Sequence, residues 1–166
     1  RDAFLIDREV RNGDWPKPVG ISLGDKTIGI IGLGDIGKNI AKRAHAHDLK
    51  IIGWDPEPIS VPDYVSISED WPSGIEKCDF IVFSCALNEN TYHLFNKTTL
   101  KKVKSGVRLI NISRGSLIDE EALLNGLHSG IIDSVALDVF EKEPLERSHP
   151  ILMHPRCILG SHNASN

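Results

Sequence analysis

Glycine residues at a fixed spacing follow the first apolar segment of the chain and predict a binding site for an anion. The sequence Gly-Leu-Gly-Asp-Ile-Gly occupies 32–37, directly after the apolar residues 27–31 and before a segment with helical spacing. Gly32 permits a tight turn, Gly34 lets a ligand approach the backbone, and Gly37 allows the helix to pack close to the strand. The unpaired N–H groups and the positive dipole end of such a helix favour a pyrophosphate. This segment therefore predicts the pyrophosphate-binding turn of a dinucleotide site.

An acidic residue stands where such a site meets the ribose of its dinucleotide. Asp55 ends the second apolar segment, 18 residues after Gly37, and the usual separation is about 20 residues. A carboxylate there accepts a hydrogen bond from the ribose 2′-hydroxyl and repels a 2′-phosphate. No arginine follows Asp55 directly to reverse this preference. We therefore expect NAD rather than NADP as the cofactor.

Three charged or titratable residues, Arg114, Glu143 and His162, follow later apolar segments of the chain. Such positions lie outside the carboxyl ends of the strands, where doubly wound sheets place their chemistry. A guanidinium binds a carboxylate, and a carboxylate beside an imidazole stabilises the protonated ring. Taken singly, however, arginine and glutamate are usually solvated, and a lone histidine is more often structural. Residue type alone therefore leaves the functional and the structural interpretations open.

The segments that carry these residues alternate between strand and helix patterns. Continuous apolar runs predict strands at 27–31, 50–54, 79–85, 107–112, 134–139 and 157–160. Helical spacing or capping residues predict helices at 2–10, after Ile36, at 67–77, near Leu100 and at 119–128. Strands without polar alternation, separated by helices, are typical of a parallel sheet that is covered on both faces. We therefore predict an α/β fold, a Rossmann-type doubly wound parallel sheet, as a single domain over 1–166.

Composition limits the class of protein. The 166 residues suffice for one domain, and 40% hydrophobic with 25% charged residues is typical of a globular protein. A net charge of -4, with scattered Lys and Arg, disfavours nucleic acid as a partner. No apolar run approaches the ~20 residues of a membrane span. Three cysteines without paired spacing, Cys78, Cys85 and Cys157, favour free thiols and a cytoplasmic location. The remaining histidines show no metal-ligand spacing, so we expect no metal site.

Four sequence motifs occur in order along the chain, at 30–37, 111–115, 137–144 and 161–162. Together they resemble the NAD-binding domain of the D-isomer-specific 2-hydroxyacid dehydrogenases, and the resemblance extends from about residue 15 to residue 165. It implies hydride transfer between NAD and a 2-hydroxy acid. The chain departs from the common family pattern at two loop positions. Ser161 stands where the family commonly has a proline before its histidine, and Ala86 stands where it commonly has a proline after the cysteine. The Ser-His pair is similar to that of phosphoglycerate-dehydrogenase-like members.

The resemblance assigns a role to each of the three polar residues. In that family an arginine binds the substrate carboxylate and polarises its carbonyl, a histidine exchanges the proton, and a glutamate pairs with the histidine. These roles fall on Arg114, His162 and Glu143, and Asp138 matches the residue that meets the nicotinamide carboxamide. In the reducing direction, protonated His162 would donate to the carbonyl oxygen. The expected cofactor contacts are Gly32, Gly34, Asp35, Ile36, Gly37, Asp55, Cys85, Ala86, Leu87, Ile112, Ser113, Arg114, Asp138 and His162.

The resemblance also implies structure outside this chain. Members of the family carry a discontinuous second domain, which is built from the segments before and after the cofactor domain and holds the other side of the substrate. The opening helix, within 1–14, is similar to the helix that crosses between the two domains. We therefore expect a fragment of a longer enzyme, with weak cofactor binding and little turnover of its own. The family also implies a small 2-hydroxy or 2-oxo acid as substrate and a homodimer as the assembly.

Two other functions share parts of this pattern. A non-catalytic NAD(H)-sensing or corepressor-type protein could keep the fold and use the state of the cofactor to control a partner. Such a protein needs no proton-transfer pair opposite a carboxylate anchor, so the joint presence of Arg114, Glu143 and His162 speaks against it. An L-specific or a short-chain dehydrogenase shares the glycine turn but requires different catalytic residues at other spacings. The Tyr-x-x-x-Lys pair of the short-chain class is absent from this sequence.

Overall fold

The computed structural model describes residues 2–57, 60–68 and 70–164. Seven strands of these residues form one sheet, and they are β1 (Thr27–Ile31), β2 (Lys50–Trp54), β3 (Val65–Ile67), β4 (Phe80–Phe83), β5 (Val107–Asn111), β6 (Ile132–Leu137) and β7 (Cys157–Leu159). Their spatial order is β3-β2-β1-β4-β5-β6-β7, and all six neighbouring pairs are parallel. The strand order reverses between β1 and β4, which is the switch point at which such sheets bind ligands. The predicted doubly wound parallel sheet is confirmed.

Four α-helices accompany the sheet in the described part of the chain, and they are α1 (Ala3–Arg11), α2 (Asp35–His45), α3 (Lys97–Leu100) and α4 (Glu120–Ser129). The predicted cap of α4 is confirmed, since the Asp119 carboxylate accepts the N–H groups of Glu121 and Ala122. The helix ends at Gly130, whose φ of 76° is the left-handed conformation that glycine adopts readily. Within the described ranges, no helix has the length and apolar character needed to cross a membrane.

Both faces of the sheet are covered, as the unbroken apolar strands predict. Ile81 and Phe83 of β4 belong to one buried cluster, together with Leu123 of α4. Val82, which lies between them and therefore points to the opposite face, belongs to a second cluster with Ala41 of α2. The two hydrophobic cores explain why β4 tolerates no polar residue between its apolar ones.

The helix predicted at 67–77 is wrong. Val65–Ile67 instead forms the edge strand β3, and only the 3₁₀ turn Ile75–Lys77 is helical among the described residues of this segment. Pro72 has no N–H to donate within a helix, and Gly74 adopts a φ of 89°, which interrupts right-handed helical geometry. The apolar spacing of the segment reflects packing of a short strand and a loop rather than one helix face.

The predicted opening helix is confirmed as α1, but none of its residues is buried. Phe4 is 71% exposed and Val10 is 40% exposed. The helix is therefore held by its own hydrogen bonds and by the pair that Arg11 forms with Asp7 across one turn. Its apolar side chains are available to another surface.

Candidate functional site

The residues predicted to bind the cofactor lie together at one edge of the sheet. Because every strand pair is parallel, the carboxyl ends of all strands meet at this edge. In the spatial order of the strands, the residues that follow them are Asp55, Gly32, Cys85, Ile112, Asp138 and His162. The predicted positions thus form a continuous row, although they are spread over more than a hundred residues of sequence.

The three glycines of the turn meet three different steric demands. Gly32 has a φ of 89°, and a Cβ on it would lie 2.6 Å from the backbone nitrogen of Cys85. A Cβ on Gly37 would lie 2.0 Å from the carbonyl oxygen of Gly32. Gly34, by contrast, faces open space and begins α2 without a side-chain cap. The turn is therefore closed against the protein at Gly32 and Gly37 and open to a ligand at Gly34, which fits a pyrophosphate on the helix N-terminus.

Asp55 is tied directly to this turn. One carboxylate oxygen, Oδ2, accepts a hydrogen bond of 2.7 Å from the Leu33 N–H, and Oδ1 accepts one of 3.0 Å from the Glu57 N–H. Asp35 and Ile36, which open α2, are exposed beside it, with Ile36 57% exposed. The carboxylate at the end of β2 is thus held at a fixed distance from the glycine turn.

Two serines that flank β4 and β5 connect the glycine turn to the neighbouring loops. The Ser84 hydroxyl donates to the Gly32 carbonyl at 2.8 Å, and the Ser113 hydroxyl donates to the Cys85 carbonyl. Ser113 is one of the predicted cofactor contacts, whereas Ser84 was not predicted. The position of Ser84, directly after an apolar strand, could have indicated it. The Cys85 thiol lies in this packed region, and burial, followed by the charge of Asp55, raises its pKa to about 11.

The loop after Cys85 is more open than the turn. Leu87 is 40% exposed, and the Ala86 carbonyl accepts a 2.8 Å hydrogen bond from the Thr91 hydroxyl. Thr91 also accepts the Asn88 N–H at 2.8 Å, so a single side chain closes this loop at both ends. These bonds hold the loop that contains Ala86.

His162 and Glu143 form a directly bonded pair. His162 Nδ1 lies 2.7 Å from Glu143 Oε2, and the other carboxylate oxygen, Oε1, accepts the Phe140 N–H at 3.0 Å. The hydrogen bond with His162, then that of the Phe140 N–H, and the nearby charges of His162 and Arg114 hold the pKa of Glu143 below its usual value. Glu143 is therefore ionised and oriented toward the imidazole ring.

The backbone around His162 fixes where its ring lies. His162 has a φ of 60°, and its N–H donates to the Asp138 carbonyl at 2.7 Å. The Asp138 carboxylate accepts the Ala164 N–H at 2.8 Å, and a Cβ on Gly160 would lie 2.1 Å from it. Asp138 thus anchors the segment after β7 from both its backbone and its side chain.

Arg114 extends from the loop after β5 and is exposed. Its Nη1 donates to the Ser113 carbonyl at 2.7 Å. The next residue, Gly115, packs so closely against the loop of Glu143 that an added Cβ would lie 1.9 Å from the Phe140 carbonyl carbon. This contact brings the arginine loop beside the Glu143 loop, so the three predicted catalytic residues belong to one region.

Among the described residues, one group of side chains has metal-ligand geometry, namely His93, Asp119 and Glu141, with donor atoms within 4.8 Å of one another. Two of the three side chains also make contacts within the protein. Glu141 Oε1 accepts the Glu120 N–H at 2.9 Å and lies 3.0 Å from His93 Nε2, while Asp119 caps α4. The group fastens the loop that carries Glu143 to the start of α4.

A family model described as the D-isomer specific 2-hydroxyacid dehydrogenase, NAD binding domain, matches residues 1–164. The chain belongs to this family. A glyoxylate reductase of Thermofilum pendens is 39% identical over 99% of the chain and 51% of its own length. A chloroplastic D-3-phosphoglycerate dehydrogenase of Arabidopsis thaliana is 34% identical over 98% of the chain and 27% of its own length. This 2-hydroxyacid dehydrogenase domain therefore spans about half, or less, of the curated relatives that it matches.

Solved structures show the same architecture. A glyoxylate reductase from Paecilomyes thermophila superposes with a TM-score of 0.89 at 34% identity, over 98% of the chain and 50% of that structure. A glyoxylate/hydroxypyruvate reductase from Sinorhizobium meliloti, described as NADPH-dependent and bound to NADP, superposes with a TM-score of 0.85 at 26% identity. This superposition covers 99% of the chain and 54% of that structure. The dehydrogenase domain is thus a nicotinamide-dinucleotide-binding fold of the same family.

Proposed function

We propose that this chain is the cofactor-binding domain of an NAD-dependent D-2-hydroxyacid dehydrogenase. The observation that carries the proposal is the bonded pair of His162 and Glu143, at 2.7 Å, in the same region as Arg114 and the glycine turn. Proton exchange, carboxylate binding and dinucleotide binding are the functions that this reaction requires, and the three corresponding groups share one edge of the sheet.

The described residues fit the cofactor in the expected order. Gly34 and the uncapped start of α2 would hold the pyrophosphate, Asp55 the ribose, and Asp138 the nicotinamide end. The bound nicotinamide supplies or accepts the hydride. The residues of this chain have to orient the substrate and move one proton.

The proton would move through His162. Because Nδ1 is engaged by Glu143, the opposite ring nitrogen, Nε2, would give its proton to the carbonyl oxygen when a 2-oxo acid is reduced. Ionised Glu143 stabilises the protonated ring before transfer and orients it throughout. Arg114 would bind the substrate carboxylate with its planar guanidinium and polarise the adjacent carbonyl. Oxidation of the 2-hydroxy acid runs through the same groups in reverse.

Preference for NAD over NADP rests on Asp55. Its carboxylate is fixed at the end of β2 by the N–H groups of Leu33 and Glu57, so a 2′-phosphate would meet a negative charge that cannot easily move. We expect the full-length protein to bind NADH more tightly than NADPH in a fluorescence titration. Equal affinities, or a preference for NADPH, would contradict this part of the proposal.

The substrate is a small 2-oxo or 2-hydroxy acid, and much of its binding surface would come from the remainder of a longer chain. The relatives named above span two such substrates, glyoxylate and phosphoglycerate. A discontinuous second domain, to which the unburied helix α1 leads, would supply the other side of the cleft. We expect the isolated 166 residues to bind NADH weakly and to show little turnover, and robust turnover by them would contradict the need for a second domain.

The decisive experiment compares His162→Ala with His128→Ala in the full-length protein, with glyoxylate, hydroxypyruvate and 2-oxoglutarate as substrates. His128 is an exposed histidine of α4 and serves as the matched control. His162→Ala should lower kcat by about 10²–10⁴ while the protein still binds NADH, and His128→Ala should change neither kcat nor NADH binding. Absence of turnover with every substrate tested, together with intact NADH binding, would favour the NAD(H)-sensing alternative.

The proposed homodimer and the proposed cytoplasmic location are supported by residues outside the site. The exposed Phe4 and Val10 of α1 and the exposed Met153 support a homodimer in which such apolar residues are covered. Light scattering on the purified full-length protein would test this, and a monomer at micromolar concentration would contradict it. Three free cysteines support a reducing, cytoplasmic location, which imaging of a fluorescent fusion in the source cells would test.

A further inference from the structure

Asn111 is a buried polar residue that is not among the predicted site residues. It ends β5, three residues before Arg114, and is 1% exposed. Among the described residues, the other polar or charged side chain that is buried is Thr99, at 4% exposure. A buried amide is costly unless its donor and acceptor are both bonded, so the bonds that Asn111 makes indicate what it does.

The side chain of Asn111 clamps one peptide unit of the arginine loop. Its Oδ1 accepts the Ser113 N–H at 3.1 Å, and its Nδ2 donates to the Arg114 carbonyl at 2.9 Å. These two groups lie on either side of the peptide that joins Ser113 to Arg114. The amide therefore fixes the direction in which the Arg114 side chain leaves the backbone.

The backbone of Asn111 makes a second connection, toward the histidine. Its carbonyl accepts the Asp138 N–H at 3.0 Å, and the Asp138 carbonyl in turn accepts the His162 N–H at 2.7 Å. One residue is thus bonded to the arginine loop through its side chain and to the histidine segment through one intervening residue. The relative placement of Arg114 and His162 depends on this junction.

We propose that Asn111 is a positioning residue that sets the placement of Arg114 relative to His162 for the reaction. The proposal rests on the proposed function, because it assumes that Arg114 binds the substrate carboxylate. No other standard side chain of this size offers a donor and an acceptor together at this position: aspartate loses the donor when ionised, and leucine offers neither. Asn111 touches neither substrate nor cofactor in this role, and it acts through Arg114.

The test uses the full-length protein with Asn111→Asp, Asn111→Ala and the control Thr99→Val. The control removes one buried hydrogen bond, from the Thr99 hydroxyl of α3 to the Leu94 carbonyl at 3.1 Å, which involves neither Asn111 nor Arg114. Asn111→Asp is nearly isosteric and replaces the donor toward the Arg114 carbonyl with an oxygen. Each variant is measured for NADH affinity, for kcat/KM with the preferred 2-oxo acid, and for stability in urea.

Both Asn111 variants should lower kcat/KM by about 100-fold, the size expected when a reacting group is displaced by about 1 Å. NADH affinity should fall far less than kcat/KM, because the glycine turn and Asp55 are untouched and only Ser113 and Arg114 among the expected cofactor contacts are disturbed. Thr99→Val should lose stability but keep its kcat/KM. This split between turnover and cofactor binding distinguishes positioning from a general loss of fold.

Several results would overturn the proposal. A fall in kcat/KM of less than about tenfold for Asn111→Asp would show that Arg114 does not depend on the amide. An equal fall for Thr99→Val, or failure of both Asn111 variants to fold while Thr99→Val folds, would assign Asn111 to stability alone. If the parent protein itself shows no turnover, the proposed function fails instead. Crystal structures of parent and Asn111→Asp then decide the positioning: a displaced Arg114 carbonyl supports it, and an unmoved one overturns it.

Discussion

The glycine turn at 32–37 and the group formed by Arg114, Glu143 and His162 lie at the same edge of the sheet but are held in place by different means. The turn is fixed by backbone packing, since a Cβ on Gly32 or Gly37 would lie 2.6 Å or less from backbone atoms. The charged group consists of partly exposed side chains, with His162 46% and Glu143 33% exposed, joined by single hydrogen bonds. One region is defined sterically, and the other is defined by polar contacts between loops.

This difference separates folding from chemistry. A change in the turn disturbs the contact between a strand and the helix that covers it, and therefore the core. A change in the charged group disturbs loops that hydrogen bonds and close contacts hold against one another, at Gly115 and Phe140 and at Asp138 and His162. We therefore expect the first kind of substitution to act mainly on the free energy of unfolding and the second mainly on turnover.

The largest effect on stability should come from Gly37→Ala. The added methyl group would lie 2.0 Å from the Gly32 carbonyl oxygen, where no flexible side chain can move aside. We expect a loss of about 3 kcal/mol or more in the free energy of unfolding, measured by urea denaturation. The matched control is Gly34→Ala, whose methyl group enters open space.

Gly34→Ala should behave in the opposite way. Its cost in stability should be about 1 kcal/mol or less, because only the N-cap of α2 changes. NADH binding should weaken by at least about tenfold, or 1.4 kcal/mol, since the methyl group occupies the space that the pyrophosphate needs. Equal stability losses for Gly34→Ala and Gly37→Ala would show that the turn is not divided into a packed side and a ligand side.

The same contrast explains how far the sequence alone could predict this molecule. The turn and the cap at Asp119 follow from local requirements, since glycine and aspartate at these positions satisfy needs of their own segment. The prediction of a helix at 67–77 was wrong because the apolar spacing of this segment favours a helix, whereas Pro72 within it interrupts one. Structure that depends only on residues of the same segment could therefore be predicted from the sequence.

The charged group was predictable only through resemblance. The bond between Glu143 and His162 joins residues 19 apart, and the contact between His93 and Glu141 joins two loops that are distant in sequence. No spacing rule connects such residues, because their distance depends on how the sheet orders its strands. Asn111 was missed for a related reason: a polar residue at a strand end predicts a loop, but not which loop atoms it bonds.

An intermediate effect is expected at the contact between the two loops of the charged group. Gly115→Ala would place a methyl group 1.9 Å from the Phe140 carbonyl carbon, but both segments are loops that can separate. We expect a loss of about 1–3 kcal/mol in the free energy of unfolding. The fall in kcat/KM should be about 100-fold, since Arg114 and Glu143 move apart.

The control for this variant is Gly24→Ala, a glycine in a turn where the added methyl group meets only a side chain at 3.7 Å. It should change neither stability nor kcat/KM appreciably. If Gly115→Ala lost stability while keeping parental turnover, the placement of Arg114 would not depend on its packing against the Phe140 loop.

The smallest effect on stability should come from Glu143→Gln, and it should depend on pH. The pKa of Glu143 is lowered in the folded protein, so its ionised form stabilises the fold above the ordinary glutamate pKa of about 4.3. This contribution is lost as the pH falls through the lowered value. Because the Glu143 side chain is partly exposed to solvent, we expect Glu143→Gln to cost less than about 1 kcal/mol at pH 7. The cost should vanish once the pH lies well below the lowered pKa of Glu143, since parent and variant are then both uncharged at 143.

Asp79 supplies the matched control, because it lies at the opposite edge of the sheet, before β4. Burial raises its pKa, but the hydrogen bonds from Lys104 and from the Thr27 N–H outweigh burial and lower it overall. The cost of Asp79→Asn in stability should therefore also be present at pH 7 and vanish as the pH falls through the lowered pKa of Asp79, but this variant should keep its turnover. Urea denaturation at pH 7, 5 and 3, with kcat/KM measured at pH 7, separates the two carboxylates. Glu143→Gln should lower kcat/KM, because the variant removes the carboxylate charge beside His162. A similar fall for Asp79→Asn would mean that the effect at Glu143 comes from lost charge in general rather than from its bond to His162.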